Sequence, residues 1–125
     1  MASRLEDFFE QRTDGNLRSI VKYEPDSYDI IFLRDDVADQ YTEEEIEDAI
    51  DDARMDSLTA PIYDDTFSED HGELTCLVQC FEHVIEMNFV LEDGVGATVA
   101  LDEEAMVEAH GLVAEAREIV IDERE

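Results

Sequence analysis

The stretch that most restricts the fold is TEEEIEDAIDDAR, residues 42–54. Seven of its thirteen side chains are carboxylates, and one, Arg54, is basic. The run is nevertheless built as a helix. Ile46, Ala49, Ile50 and Ala53 recur at i, i+3, i+4 spacing, continuing to Leu58. Thr42 and Glu45 form a capping box, and the acidic first turn suits the helix dipole. In dilute buffer such a helix repels itself, so any fold containing it must tolerate dense negative charge.

The whole chain has the same character. It carries 36 acidic and 8 basic residues, a net charge of −28 over 125 residues, and Lys22 is the single lysine. The carboxylates run from Glu6 to Glu125 and are not massed in a tail. A hydrophobic share of 44% supplies a core and argues against disorder. The length suits one domain, residues 1–125. Charge on this scale opposes compaction by self-repulsion, a lever used by halophiles. At molar salt the Debye length shrinks to about 3 Å, and neighbouring carboxylates barely interact. The chain therefore reads as a protein of a halophilic archaeon. The alternative is a nucleic-acid mimic or a partner of basic proteins, which would gather its charge on one face.

Several partner classes are excluded by the same composition. Nucleic-acid backbone binding relies on Lys and Arg, which are scarce here. No secretory h-region follows MASRLEDFF, and no run approaches the roughly 18–20 apolar residues that span a bilayer. A negative chain also avoids anionic lipid surfaces. The expectation is a cytoplasmic protein with neither membrane nor nucleic acid as partner.

Along the chain, Ser3 and Glu6 offer a capping box for a first helix. Leu5, Phe8 and Phe9 lie on its apolar face, and its end is expected near residues 13–16. Residues 17–34 read as a β-hairpin turning at Pro25-Asp26-Ser27, its second strand aromatic and β-branched. The acidic central helix follows. Residues 59–71, TAPIYDDTFSEDH, read as a long loop broken at Pro61, with Ile62, Tyr63 and Phe67 as anchors. Then come three strands, ELTCLVQCF, VIEMNFVL and GATVAL, the last after a glycine-containing turn at 92–96. Asp102 is placed to cap a final helix whose stripe is Ala105, Met106, Ala109, Leu112, Val113, Ala116, Ile119 and Val120. Helix, two strands, helix, three strands and helix make an α+β chain without repeats or linkers.

This order resembles the roadblock/dynein-light-chain family, a small α/β sandwich related to profilin-like and longin folds. The likeness is carried by GELTCLVQCFEHVIEMNFVLEDGVGATVALDEEAMVEAHGLVAEAREIV, and by the first hairpin with TEEEIEDAIDDARMDSL. It rests on element order and length. The first turn, EPDSYD, departs from the Asp-Gly type frequent in that family. The resemblance implies a five-stranded antiparallel sheet flanked by helices and a homodimer pairing central helices. It also implies a non-catalytic regulator or adaptor for Ras-like small GTPases or other signalling proteins. On this chain the possible dimer or partner face is Ile46, Ala49, Ile50 and Ala53.

Candidate chemistry is sparse. Cys76 and Cys80, read as residues of one strand, stand about 13 Å apart, beyond the roughly 7 Å that a disulfide needs. They read as small buried hydrophobes. His71, His83 and His110 are dispersed. Asp64, Asp65, Glu69 and Asp70 lack the spacing of a calcium loop. Pairs such as Glu82/Glu86 or Glu103/Glu104 are expected by chance in so acidic a chain, and no nucleophile elbow or P-loop is present. The expectation is no enzyme, cofactor or metal. A second functional reading is a small-molecule sensor with an internal pocket lined by Phe32, Cys76, Cys80 and Phe89.

Overall fold

The computed structural model describes residues 4–123, with the backbone alone for 63–68; Ser3, the expected first cap, lies outside them. Helix α1 (Arg4–Thr13) leads into the hairpin of β1 (Leu17–Tyr23) and β2 (Tyr28–Leu33). A short α2 (Asp35–Gln40) precedes the long α3 (Glu43–His71). Strands β3 (Leu77–Cys80), β4 (Val84–Glu92) and β5 (Val95–Asp102) follow. A 3-10 turn, Glu103–Met106, opens the last helix, α4 (Val107–Asp122). The strands make one antiparallel sheet in the order β2-β1-β5-β4-β3. The fold is thus α+β, a five-stranded antiparallel sheet flanked by helices. No helix among the described residues is long and apolar enough to cross a membrane.

Strand alternation sends side chains to two faces, and each face has its own core. On the α1 side, Phe9 packs with Leu17, Ile20, Val99 and Leu101, and Met87, Phe89 and Met106 lie against them. On the α3 side, Val21 and Tyr23 pack with Ile50 and Ala53. Alternation along β1 sends Ile20 and Val21 to opposite cores, while a bulge in the β1–β2 pairing leaves Ile31 unpaired beside Phe32, and both pack against the α1-side core. A polar chain crosses the second core. The Tyr23 hydroxyl donates to Asn88 Oδ1 at 2.6 Å, and Asn88 Nδ2 donates to the Ala53 carbonyl at 3.1 Å. Burial raises the Tyr23 pKa, so the hydroxyl stays a donor at neutral pH.

The Thr42–Glu45 capping box is present in both directions, at 2.9 and 3.1 Å. The loop expected over 59–71 is instead the second half of α3, a helix of 29 residues with Pro61 inside it. A mid-helix proline costs roughly 3 kcal/mol and one backbone bond, but TAPIYDDTFSEDH contains no glycine to end the helix. Gly72 does, at a φ of 78°. The side chains of Tyr63 and Phe67, expected as anchors, and of Asp64 and Asp65 lie outside the described residues. Strand β3 is also shorter than expected and starts after Cys76.

Asp102 does not cap the last helix with its side chain. Its carboxylate is already taken. Arg34 Nη1 donates to Oδ2 at 2.6 Å and Nη2 to Oδ1 at 3.0 Å, while Arg18 Nη1 reaches Oδ1 at 3.2 Å. The hydrogen bonds from Arg34, followed by those from Arg18, hold the Asp102 carboxyl below its ordinary pKa of 3.8. A carboxyl depressed in the fold contributes stability above its unfolded pKa and loses it as pH falls through the folded value. Asp102→Asn is therefore expected to destabilise the protein by about 2–4 kcal/mol at neutral pH, because two guanidinium groups lose their shared acceptor. The deficit should close below about pH 3.8. Urea melts in concentrated KCl across that range check both statements.

Candidate functional site

Three places could do more than hold the fold. The first is a groove of about 1010 Å³ between α3 and the sheet, reached by Arg18, Ile46, Glu86, Thr98 and Ala100 among others. It exists because β5 presents only small side chains there, Thr98 and Ala100, so α3 does not close onto the strands. Glu86 stands on its floor. Water reaches this side chain from the groove, yet the surrounding protein raises its pKa, and the Arg18 charge offsets part of the rise. Glu86 makes no hydrogen bond or close ion pair with a described residue, since Arg18 is engaged by Asp102 and by Gln40 Oε1 at 3.3 Å.

The pocket expected from Phe32, Cys76, Cys80 and Phe89 is not this groove. Phe32 and Phe89 lie against the α1-side core, on the opposite face of the sheet. Cys76 borders a smaller cleft of about 330 Å³ near Pro61 and Leu74, and burial raises its thiol pKa. Cys80 is exposed, and both cysteines are free.

The second place is a histidine cluster that the sequence spacing does not reveal. Glu103 Oε1 lies 3.3 Å from His83 Nδ1, and its Oε2 lies 3.9 Å from His110 Nδ1. His110 Nε2 donates to the Phe81 carbonyl at 2.8 Å. These bonds pin the start of α4 to the β3–β4 hairpin. Among the described residues no group of three or more His, Cys, Asp or Glu side chains is placed to hold a metal ion.

The third place is α4 itself. Its apolar stripe matches the expectation, but its cover does not. No residue of α4 is buried, and Leu112, Val120 and Ile119 are 69%, 67% and 56% exposed. Ala105 and Met106, expected in the same stripe, instead join the α1-side core from the 3-10 turn. The expected roof over that face is therefore incomplete. Val78 and Met87 pair across β3 and β4 and share the α1 side, as do Cys80 and Ile85. Val78 remains 54% exposed there. Uncovered apolar side chains gather on α4 and at this edge, and Met55, Leu58 and Ile62, the first two 62% and 51% exposed, form a further stripe on α3 where Leu58 was expected to be buried.

The expected partner face on α3 is mostly used within the chain. Ile50 and Ala53 are buried in the α3-side core, and Ile46 packs against it. Ala49 alone of the four is exposed. The reason is register: the stripe that looked free in a helix taken alone is the one the sheet needs.

A family model described as a domain of unknown function (DUF7522) matches residues 3–121. No curated protein and no solved structure matches the chain.

Proposed function

The chain belongs to the DUF7522 family, and from that premise we propose that it is a salt-adapted, non-enzymatic adaptor of the cytoplasm, dimeric and similar in role to roadblock-type regulators. The observation that carries this reading is α4. A helix that leaves Leu112, Ile119 and Val120 in water loses hydrophobic stabilisation of about 25 cal/mol per Å², and apolar surface gathered in this way marks a contact with another chain. The element order and sheet agree with the roadblock likeness. Exposed carboxylates on α1, α2, α3, α4 and the turns support a solvent adaptation over a mimic with one charged face.

The test is capture with immobilised full-length protein from a high-salt cell extract, compared with Leu112→Asp/Ile119→Asp. The expected result is a protein, other than the chain itself, held by wild type and lost by the variant, a Ras-like GTPase being the class the resemblance implies. If nothing depends on α4, the adaptor reading is overturned. A second reading, a small-molecule sensor, draws on the groove. There the unpaired Glu86 beside apolar walls suits a ligand with an organic cation and a hydrocarbon body.

A further inference from the structure

Resting on the reading of α4 as the contact element, we infer that its occupant is a second copy of this chain. Each α4 lies across the open β3–β4 edge of its partner's sheet, giving a reciprocal exchange of helices.

The two surfaces are complementary in kind. More than a quarter of the chain is acidic, yet the open edge is made of the exposed Val78 and Cys80, backed by Met87 and Phe89 that also pack against the α1-side core, and carries no charge. The stripe of α4, Leu112, Val113, Ala116, Ile119 and Val120, is also uncharged, while Glu115, Glu118 and Asp122 lie on the other side of the helix by its 3.6-residue period. For two molecules of charge −28, the uncharged patches are the surfaces on which they meet with least repulsion. The protein partner expected above is then held by the dimer that α4 builds, not by α4 itself.

The anchoring of α4 decides between folding back and reaching across. Ala105 and Met106 are packed in the core, and His110 is bonded to the Phe81 carbonyl. The helix is thus fixed at its first turn beside the β3–β4 hairpin. Beyond Gly111 every described residue of it is exposed. Covering its own sheet would require breaking that turn, whereas covering a partner's sheet leaves it intact. A 16-residue helix is about 24 Å long and about 10 Å wide. Two reciprocal contacts of that footprint, counted on both partners, bury about 1,000 Å², below the roughly 1,200–2,000 Å² of standard interfaces and suited to a weak dimer.

The experiment is sedimentation velocity of the full chain in concentrated KCl, with circular dichroism of each variant as the check on folding. Wild type should sediment as a dimer. The helix variant Leu112→Asp/Ile119→Asp and the sheet variant Val78→Asp should both be folded monomers, since all three residues are exposed. Cys80 gives a readout on the native chain. Its alkylation, followed by peptide mass, should slow with rising protein concentration in wild type and not in either variant. A dimer retained by Val78→Asp with unprotected Cys80 would mean that α4 pairs with α4, and overturns the exchange. A monomeric wild type that still captures an α4-dependent partner overturns the exchange but leaves the adaptor reading standing. A helix variant that alters neither mass nor capture overturns both.

Discussion

Transfer from about 2 M KCl to about 0.1 M KCl is expected to abolish the cooperative fold, as the Debye length grows from a few Å to about 10 Å. The helix α3 shows why. Glu43, Glu44, Glu45, Glu47 and Asp48 are all exposed within its first two turns, and one basic residue, Arg54, follows. Like charges at i, i+3 and i, i+4 each destabilise a helix by about 0.2–0.5 kcal/mol, and this pattern recurs from α1 to α4. The cores that oppose it are small: few side chains are fully buried. Self-repulsion therefore decides the outcome once screening is withdrawn. Far-UV circular dichroism during a salt titration is the measurement. Two controls identify the cause. A neutral sugar at matched osmolality should restore less structure than KCl, and acidification toward the pI of about 4.1 should restore some structure by protonating carboxylates. The gain should stop as Asp102 itself begins to protonate, because its pairs with Arg34 and Arg18 are then lost. A melt unchanged between the two salt concentrations would contradict the halophile reading.

Gly96→Ala should be the most damaging single methyl added to the chain. A Cβ at this position would collide with the Phe89 carbonyl oxygen and lie 2.6 Å from the Tyr23 hydroxyl oxygen. The carbonyl belongs to the neighbouring strand, so the backbone must move. The hydroxyl is held by Asn88, which in turn holds Ala53 of α3. The substitution thus disturbs β1, β4, β5 and α3 together. A loss of about 3 kcal/mol or more is expected, at or above the upper end of ordinary overpacking. Gly111→Ala is the matched control. It sits in α4 with nothing within 4 Å of the new methyl, so helix propensity should make it neutral or stabilising by up to about 1 kcal/mol. Urea melts of both variants in the same concentrated salt make the comparison. Equal effects would mean that β5 is not packed as closely as described.

Much of the architecture is legible in local patterns. The Thr42–Glu45 cap, the Pro25 turn and the glycine turn before β5 are short-range devices, and each forms as its residues dictate. The failures at Asp102 and on the helix stripes involve partners distant in sequence, and the one at Pro61 does not. Pro61 looked like a terminus because a proline's local cost is visible while the persistence of the turns around it is not. Asp102 looked like a cap because nothing local shows that Arg34 and Arg18 take its carboxylate first. The α3 stripe looked available and the α4 stripe looked covered, although both are equally apolar along the chain. Which stripe meets the sheet depends on how the chain turns at the Glu103–Met106 segment. The same limit applies to the candidate surfaces. The open edge is composed of residues from β3 and β4 whose shared face is a matter of register, and the Glu103 cluster joins residues twenty and seven positions away.

The use made of the basic residues has a further consequence. Arg34 closes onto Asp102, Asp36 and the Gly15 carbonyl. Arg54 joins Asp51 to the Glu24 and Ser27 carbonyls. Each guanidinium gathers acceptors from separate elements in one plane, a task its forked geometry permits and a single ammonium head performs poorly. In this chain Arg18, Arg34 and Arg54 are fasteners for bends and strand ends, while Arg4, Lys22 and Arg117 stand on the exterior. At these three positions the choice of arginine over lysine has an architectural origin alongside any demand of the medium: a lysine there would leave a joint untied, and the outer shell falls to the counter-ions.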